Sequence, residues 1–154
     1  MDNPKVIVKE TEKYGKAAFA KEDIYEGEIL AAFDGSIYEA EKSSDIPNEL
    51  PLKVRDHVIQ FEEHKWRDSN GIARCLSHSC EPNCGIQALF NIVAMRNIKK
   101  DEELCWDYEM SENSDWQMEC LCGSKNCRKV IGSYKYMPQN IREKYGDYIS
   151  GWLK

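Results

Sequence analysis

No long hydrophobic run occurs in this sequence. Its apolar stretches, such as Ile29-Leu30-Ala31-Ala32-Phe33, fall far short of the ~20 residues a membrane-spanning helix needs, and no membrane association is expected. The start, Met1-Asp2-Asn3-Pro4-Lys5, lacks a basic segment followed by an apolar one, so an intracellular protein without a secretory signal is the expectation. Positive charge is also in short supply. The 21 basic residues are outnumbered by 27 acidic ones, and the formal net charge of −6 argues against a basic nucleic-acid-binding face. No direct nucleic-acid binding is expected. That balance suits a basic peptide partner, and it serves solubility equally well. Internal repeats, low-complexity tracts and linkers are missing too. What remains is 154 residues of ordinary globular composition, 42% hydrophobic and 31% charged, enough for one domain with a real core.

Short strand-like runs dominate the first two thirds: Val6-Ile7-Val8, Ala17-Ala18-Phe19-Ala20, and residues 28–33, 57–61, 86–95 and 103–108. Turn signals bound them at Tyr14-Gly15, Glu26-Gly27, Asp34-Gly35, Ser69-Asn70-Gly71 and Lys99-Lys100-Asp101. The spacing predicts several small sheets rather than alternating strands and helices. Helical signal is sparse. Residues 38–43 read as a short helix. After Pro138, residues Ile141, Tyr145, Tyr148, Ile149 and Trp152 recur at helical spacing. Gly146-Asp147 breaks that pattern into two pieces, with glycine as a stop and aspartate as a cap, and the apolar stripe reads as core packing.

Cysteine is abundant, with seven residues in the chain. In a reducing compartment, close spacing points to metal ligands rather than disulfides. Cys120, Cys122 and Cys127 form C-x-C-x4-C with glycine and small polar residues between them. Zinc takes four ligands in a tetrahedron and favours thiolates, so three local cysteines ask for a fourth. Cys80 and Cys84, flanking Pro82-Asn83, are the candidates. The alternative is three free buried cysteines or a redox site.

The stretch Cys75-Leu76-Ser77-His78-Ser79-Cys80-Glu81-Pro82-Asn83 resembles the NHSCxPN motif of SET-domain methyltransferases. Glu103-Leu104-Cys105-Trp106-Asp107-Tyr108 resembles their ELxxDY motif, and the cysteine segment with Arg128 resembles the post-SET pattern. Gly15-Lys16-Ala17 looks like the family's G-x-G loop, and Phe33-Asp34-Gly35 stands where Y-x-G is usual. The four motifs run in the family's order over most of the chain, in the small SET plus post-SET type without a pre-SET cluster. The resemblance implies a mostly β SET (β-clip) fold of small curved sheets with a pseudoknot, a zinc-bound post-SET segment and short C-terminal helices. It divides the chain into a SET domain (4–110), a post-SET zinc segment (116–132) and a C-terminal helical appendage (133–154). It also assigns the fourth ligand to Cys80, giving one structural zinc on Cys80, Cys120, Cys122 and Cys127.

The resemblance further implies transfer of a methyl group from S-adenosylmethionine to a lysine of a protein, with histone tails among the candidate substrates and a location that is nuclear if the source is eukaryotic and the substrate a histone, and cytoplasmic otherwise. Tyr108 matches the catalytic tyrosine. Lys16, Ala17, Ala18, His57, Arg74, Ser77, His78 and Leu121 are expected around the cofactor, and Phe33, Trp106 and Tyr108 along the lysine channel. Asn83 is expected to tie the pseudoknot. Glu62, Glu63 and Asp68 offer charge to a basic tail, though a solvated loop explains them as well. Four residues depart from the family pattern. Ser77 replaces an amide, Ala17 a glycine and Phe33 a tyrosine, and Trp106 stands where phenylalanine or tyrosine is usual. Ser77 and Phe33 motivate an alternative, a catalytically inactive SET module that binds a peptide or the cofactor. A small zinc-binding interaction protein with chance motif matches is the other.

Overall fold

The computed structural model describes residues 2–13, 15–41, 54 and 57–154. Within them, β1 (Val6–Thr11) and β2 (Gly15–Ala20) form an antiparallel hairpin. Gly15 adopts φ 75°, a turn conformation that only glycine enters without strain. A three-stranded sheet is built from β4 (Ile37–Glu39), β6 (Lys65–Arg67) and β5 (Ile59–Glu62), in that order. The central sheet has five strands: β3 (Ile29–Ala32), β9 (Asn91–Ala94), β8 (Cys84–Gln87), β10 (Cys105–Trp106) and β7 (Ser77–His78). A last pair, β11 (Met118–Glu119) and β12 (Val130–Ile131), frames the cysteine segment.

The expected run over residues 86–95 divides into β8 and β9, because the chain reverses at Ala88 (φ 58°) and the two strands pair antiparallel. The run over 103–108 keeps only β10. Asp107 accepts the Glu109 N–H and caps a 3-10 turn, Tyr108–Met110, which ends the strand. A short helix over 38–43 does not form in the part described: Ile37–Glu39 is a strand, and Tyr38 pairs with Trp66 of β6. Cross-strand pairing outweighs a weak local helical preference there. Lys42 and Ser43 lie outside the described residues, as does Tyr14.

Packing explains the rest of the architecture. Leu30, Ile86, Ile92, Ile98, Leu104 and Met110 are fully buried in one cluster that extends to Tyr145 and Ile149 near the C-terminus. The C-terminal stripe therefore packs into the core, as its spacing predicts. Helix α1 (Gln139–Tyr145) begins after Pro138 and stops at Gly146, whose φ of 53° ends it. Asp147 makes no side-chain cap; a 3-10 turn, Gly146–Tyr148, follows directly instead. Gly85 of β8 permits this docking, since a Cβ at that position would stand 2.6 Å from the Tyr148 Cβ.

Two motif segments interlock at β10, which lies parallel to both β7 and β8 and between them. Asn83 ties this crossing. Its Nδ2 donates to Glu103 O (2.8 Å) and its Oδ1 accepts the Cys105 N–H (2.9 Å). Asn83 is 5% exposed, so its removal strands buried partners. Asn83→Ala is expected to destabilise the fold by about 3 kcal/mol in urea unfolding. A change no larger than the ~0.5 kcal/mol typical of surface positions would contradict that tie.

Candidate active site and metal centre

Residues 72–78 turn from a 3-10 segment (Ile72–Cys75) through extended Leu76 into β7. They contribute to a cleft of about 310 Å³, lined by Lys16, His57, Arg74, Cys75, Leu76, Ser77, His78, Tyr108, Met118, Glu119, Cys120, Leu121 and Cys122. That volume lies at the small end of the range for small-molecule sites. Lys16, His57, Arg74, Ser77, His78 and Leu121, all expected around the cofactor, meet here. Ala17 and Ala18 continue β2 from Lys16, and both are fully buried. Ala17 pairs with Lys9 in regular strand geometry and has no positive φ, so alanine replaces glycine there without backbone strain. His57 precedes β5 rather than opening it, and its Nδ1 lies 3.2 Å from Arg74 O. Arg74 itself is paired with Asp68 (3.2 Å).

Tyr108 enters the cleft from the capped turn. Its N–H donates to His78 Nδ1 (3.2 Å) and its hydroxyl donates to Leu76 O (3.3 Å). Rings line up behind it. Trp106 lies 5.1 Å away between centroids, and Phe33 meets Trp106 edge-on at 6.0 Å. Phe33 and Trp106 are buried at 2% and 4% exposure, so the three expected channel residues form one apolar row reaching from the core to the cleft.

His78 stands between the cleft and the cysteines. Because Nδ1 accepts the Tyr108 N–H, the ring proton is assigned to Nε2, which faces Cys80 Sγ at 3.5 Å. Burial lowers its pKa to about 4, against the opposing pull of Asp107, so the imidazole is neutral near pH 7. The 3.7 Å approach of His78 Nδ1 to Asp107 is then no ion pair. The carboxylate finds its counter-charge in Arg128, whose Nη2 stands 2.7 and 2.9 Å from the two Asp107 oxygens and 3.1 Å from Glu109 Oε2. Tyr145 donates to Asp107 Oδ2 (2.8 Å) and Gly132 N–H to Glu109 Oε1 (2.9 Å). Burial pushes Glu109 above the ordinary carboxylate range despite these donors. Burial alone would lower Arg128, but Asp107 and then Glu109 outweigh it and the net shift is upward.

Cys80, Cys120, Cys122 and Cys127 bring their four sulfurs within 4.8 Å of one another. Cys84 is apart from them, fully buried, and gives its thiol to Asn83 Oδ1. Of the two candidates for a fourth ligand, Cys80 is the one beside the other three. A tetrahedron with Zn–S bonds of about 2.3 Å has S···S edges of about 3.8 Å; Cys80 Sγ and Cys120 Sγ are 3.7 Å apart. Burial raises Cys80 to about 11 and also raises Cys120, whereas Ser124 and other donors bring Cys122 to about 6 against its own burial. Buried thiols held this close ionise together only with a divalent cation among them. The donor set fits zinc.

Some functional contacts had weak or no sequence signal. Met118 and Glu119 line the cleft, and no motif marks them. The Arg128–Asp107 contact joins two segments 21 residues apart, and its single hint was the arginine following the third cysteine. Conversely, two acids expected to attract a basic tail are already paired, Glu62 with Lys65 (2.6 Å) and Asp68 with Arg74.

Comparison with known proteins identifies the family and the fold. The SET-domain family model matches residues 15–109, more than half of the chain. The chain belongs to the SET-domain family. It is 30% identical over 127 residues to histone-lysine N-methyltransferase trr of Drosophila melanogaster, covering 75% of this chain but 5% of that protein. It is 31% identical to an H3 lysine-4-specific histone-lysine N-methyltransferase of Aspergillus oryzae, covering 77% of this chain and 11% of the relative. The chain therefore spans only a small part of these curated relatives. Among solved structures, KRYPTONITE in complex with mCHG DNA and SAH is similar, with TM-score 0.60 and 25% identity over 81% of this chain and 28% of that one. Among the described residues no helix is long and apolar enough to cross a membrane.

Proposed function

We propose that this chain transfers a methyl group from S-adenosylmethionine to the side-chain amine of a lysine in a protein. The observation that carries the reading is the convergence of Lys16, His57, Arg74, Ser77, His78 and Leu121 on one cleft with Tyr108 at its wall. The naming of the relatives as histone-lysine methyltransferases and the SAH held by KRYPTONITE support it. Histone tails are the first substrates to try, and a nuclear location follows from that choice.

S-adenosylmethionine supplies an electrophilic methyl on a sulfonium, and the amine lone pair displaces the thioether in line. The protein's task is to present a neutral amine, aligned and dry. Free lysine has a pKa near 10.4, so uncharging it at pH 7 costs about 4.6 kcal/mol. An apolar channel lowers that cost by disfavouring the ammonium. Phe33 and Trp106, buried and packed edge-on in line with Tyr108, are the candidates for such walls. Tyr108 has a hydroxyl at the cleft, bonded at 3.3 Å to a carbonyl that an amine N–H can share. Its acceptor lone pairs orient the amine, and no strong base is needed once the proton has gone to solvent.

Residues Cys80, Cys120, Cys122 and Cys127 would hold one zinc. The metal's chemistry there is structural: with four protein ligands it leaves no open position for substrate. Held there, it would keep Leu121 and its neighbours at the cleft.

Calorimetric titration with S-adenosylhomocysteine tests the cofactor half of the reading. One molecule is expected to bind per chain, and binding is expected to be lost in Ser77→Trp, which fills the cleft. Absence of binding to the zinc-loaded protein, or full binding by a folded Ser77→Trp variant, would remove the cleft from this role.

A further inference from the structure

Arg128 is held at both ends. Its backbone N–H donates to Cys80 Sγ (3.4 Å), within the four-cysteine cluster. Its guanidinium reaches the two Asp107 oxygens at 2.7 and 2.9 Å. Asp107 immediately precedes Tyr108. Its Oδ1 accepts the Glu109 N–H (3.1 Å) and so caps the turn in which Tyr108 is the first residue. The Tyr108 N–H is meanwhile bound to His78, whose other nitrogen faces Cys80. Two routes thus run from Cys80 to the backbone of Tyr108. The one through Arg128 carries the charge.

We propose that Arg128 is a positioning residue that couples metal loading of the cysteine cluster to the placement of the Tyr108 hydroxyl. The proposal rests on the reading of Tyr108 given above. Asp107 is 0% exposed, and a fully buried carboxylate needs a matched cation beside it. Without the guanidinium, Asp107 loses two of its charge-assisted contacts and turns toward water. Displaced, it no longer accepts the Glu109 N–H, and the turn carrying Tyr108 loosens. Tyr145 completes the clamp from α1 with a hydroxyl 2.8 Å from Asp107 Oδ2, but it adds no charge and is the lesser hold. Metal removal acts on the same path, because it frees the segment from which Arg128 extends.

The test uses the full chain loaded with zinc, in wild-type, R128Q, R128K and Y145F forms. Zinc content, kcat, KM for S-adenosylmethionine and the ring signals of ¹³C-tyrosine-labelled protein are measured, with Tyr108 assigned through Y108F. R128Q is expected to keep its zinc and a near-normal KM, while kcat falls by about 100-fold, the cost of an ångström-scale misplacement. The Tyr108 signal shifts or broadens with it. R128K restores part of both, and Y145F lowers kcat less than R128Q does. If R128Q fails to fold, R128K and Y145F are scored on the same readouts. Normal kcat with an unmoved Tyr108 signal in zinc-loaded variants overturns the proposal, and so does a kcat that falls only in proportion to lost zinc. If the wild type transfers no methyl group, the functional reading fails separately. Chelating the wild type then still decides the coupling, since an unmoved Tyr108 signal excludes it.

Discussion

Tyr108→Phe is expected to lower kcat by about 100- to 1,000-fold, the effect of deleting one well-placed polar contact to the reacting groups. The substitution removes only the hydroxyl, which donates to Leu76 O at 3.3 Å. A bond of that length is worth about 0.5–1.5 kcal/mol at most, so folding is preserved. The ring keeps its packing against Trp106, His78 and Trp116. KM for the cofactor is expected to change little, since the loss falls on orientation of the amine. Turnover measured at saturating substrate, alongside a thermal melt, separates the two effects. Undiminished turnover in a folded variant removes Tyr108 from the chemistry.

The second large effect is that of the metal. Purified protein is expected to carry one zinc per chain, and Cys120→Ser or exhaustive chelation is expected to abolish cofactor binding and methyl transfer together. Cys120 and Cys122 belong both to the four-cysteine cluster and to the cleft wall, so the segment cannot come apart without opening the cleft. The local core around them is small: Cys80, Cys120 and Ile131 are its buried members. Structural zinc in small motifs contributes on the order of 10–16 kcal/mol of apparent binding free energy at neutral pH, far more than so few side chains supply. The central sheet has its own core around Leu30, Ile86 and Ile92, and the melt of that part is expected to survive. Metal analysis near zero with full activity would contradict the assignment.

Much of this was legible in the sequence because the chemistry is carried by local motifs. The C-x-C-x4-C spacing places three sulfurs on one short segment, and Cys80, which the resemblance named as the fourth, lies beside them on the segment that also bears His78. The strands with β-branched and small residues, such as Val6-Ile7-Val8 and Ala17-Ala18, are paired in the structure, each backed by a turn residue such as Gly15. The helical stripe at Ile141, Tyr145 and Ile149 reached the core as its period implied. Other features depend on partners distant in the chain. The strand Ile37–Glu39 exists because Lys65–Arg67 lies beside it, and no local pattern marks that. Asp107 ends β10 through a cap, which a strand-like run of residues conceals. The clamp of Arg128 and Tyr145 on Asp107 spans 21 and 38 positions, and its members read singly as ordinary charged or core residues.

The four departures from the family pattern separate on structural grounds. Ala17 is accommodated by regular strand geometry. Phe33 and Trp106 pack edge to face, so the missing hydroxyl leaves an apolar wall rather than a gap. Ser77 sits at the cleft and pairs with Cys105 through the backbone of β7, a position kept by the ladder and not by its side chain. An apolar wall is compatible with a neutral lysine, so Phe33 does not by itself argue for a module that only binds.

The most direct test is transfer of a labelled methyl group from S-adenosylmethionine to core histones and to a total cell lysate, with mass spectrometry of the labelled residue. Label on a lysine side chain, dependent on zinc and lost in Tyr108→Phe, is the predicted result. Tight cofactor binding with no label on any protein would contradict it and leave a SET module that binds without reacting.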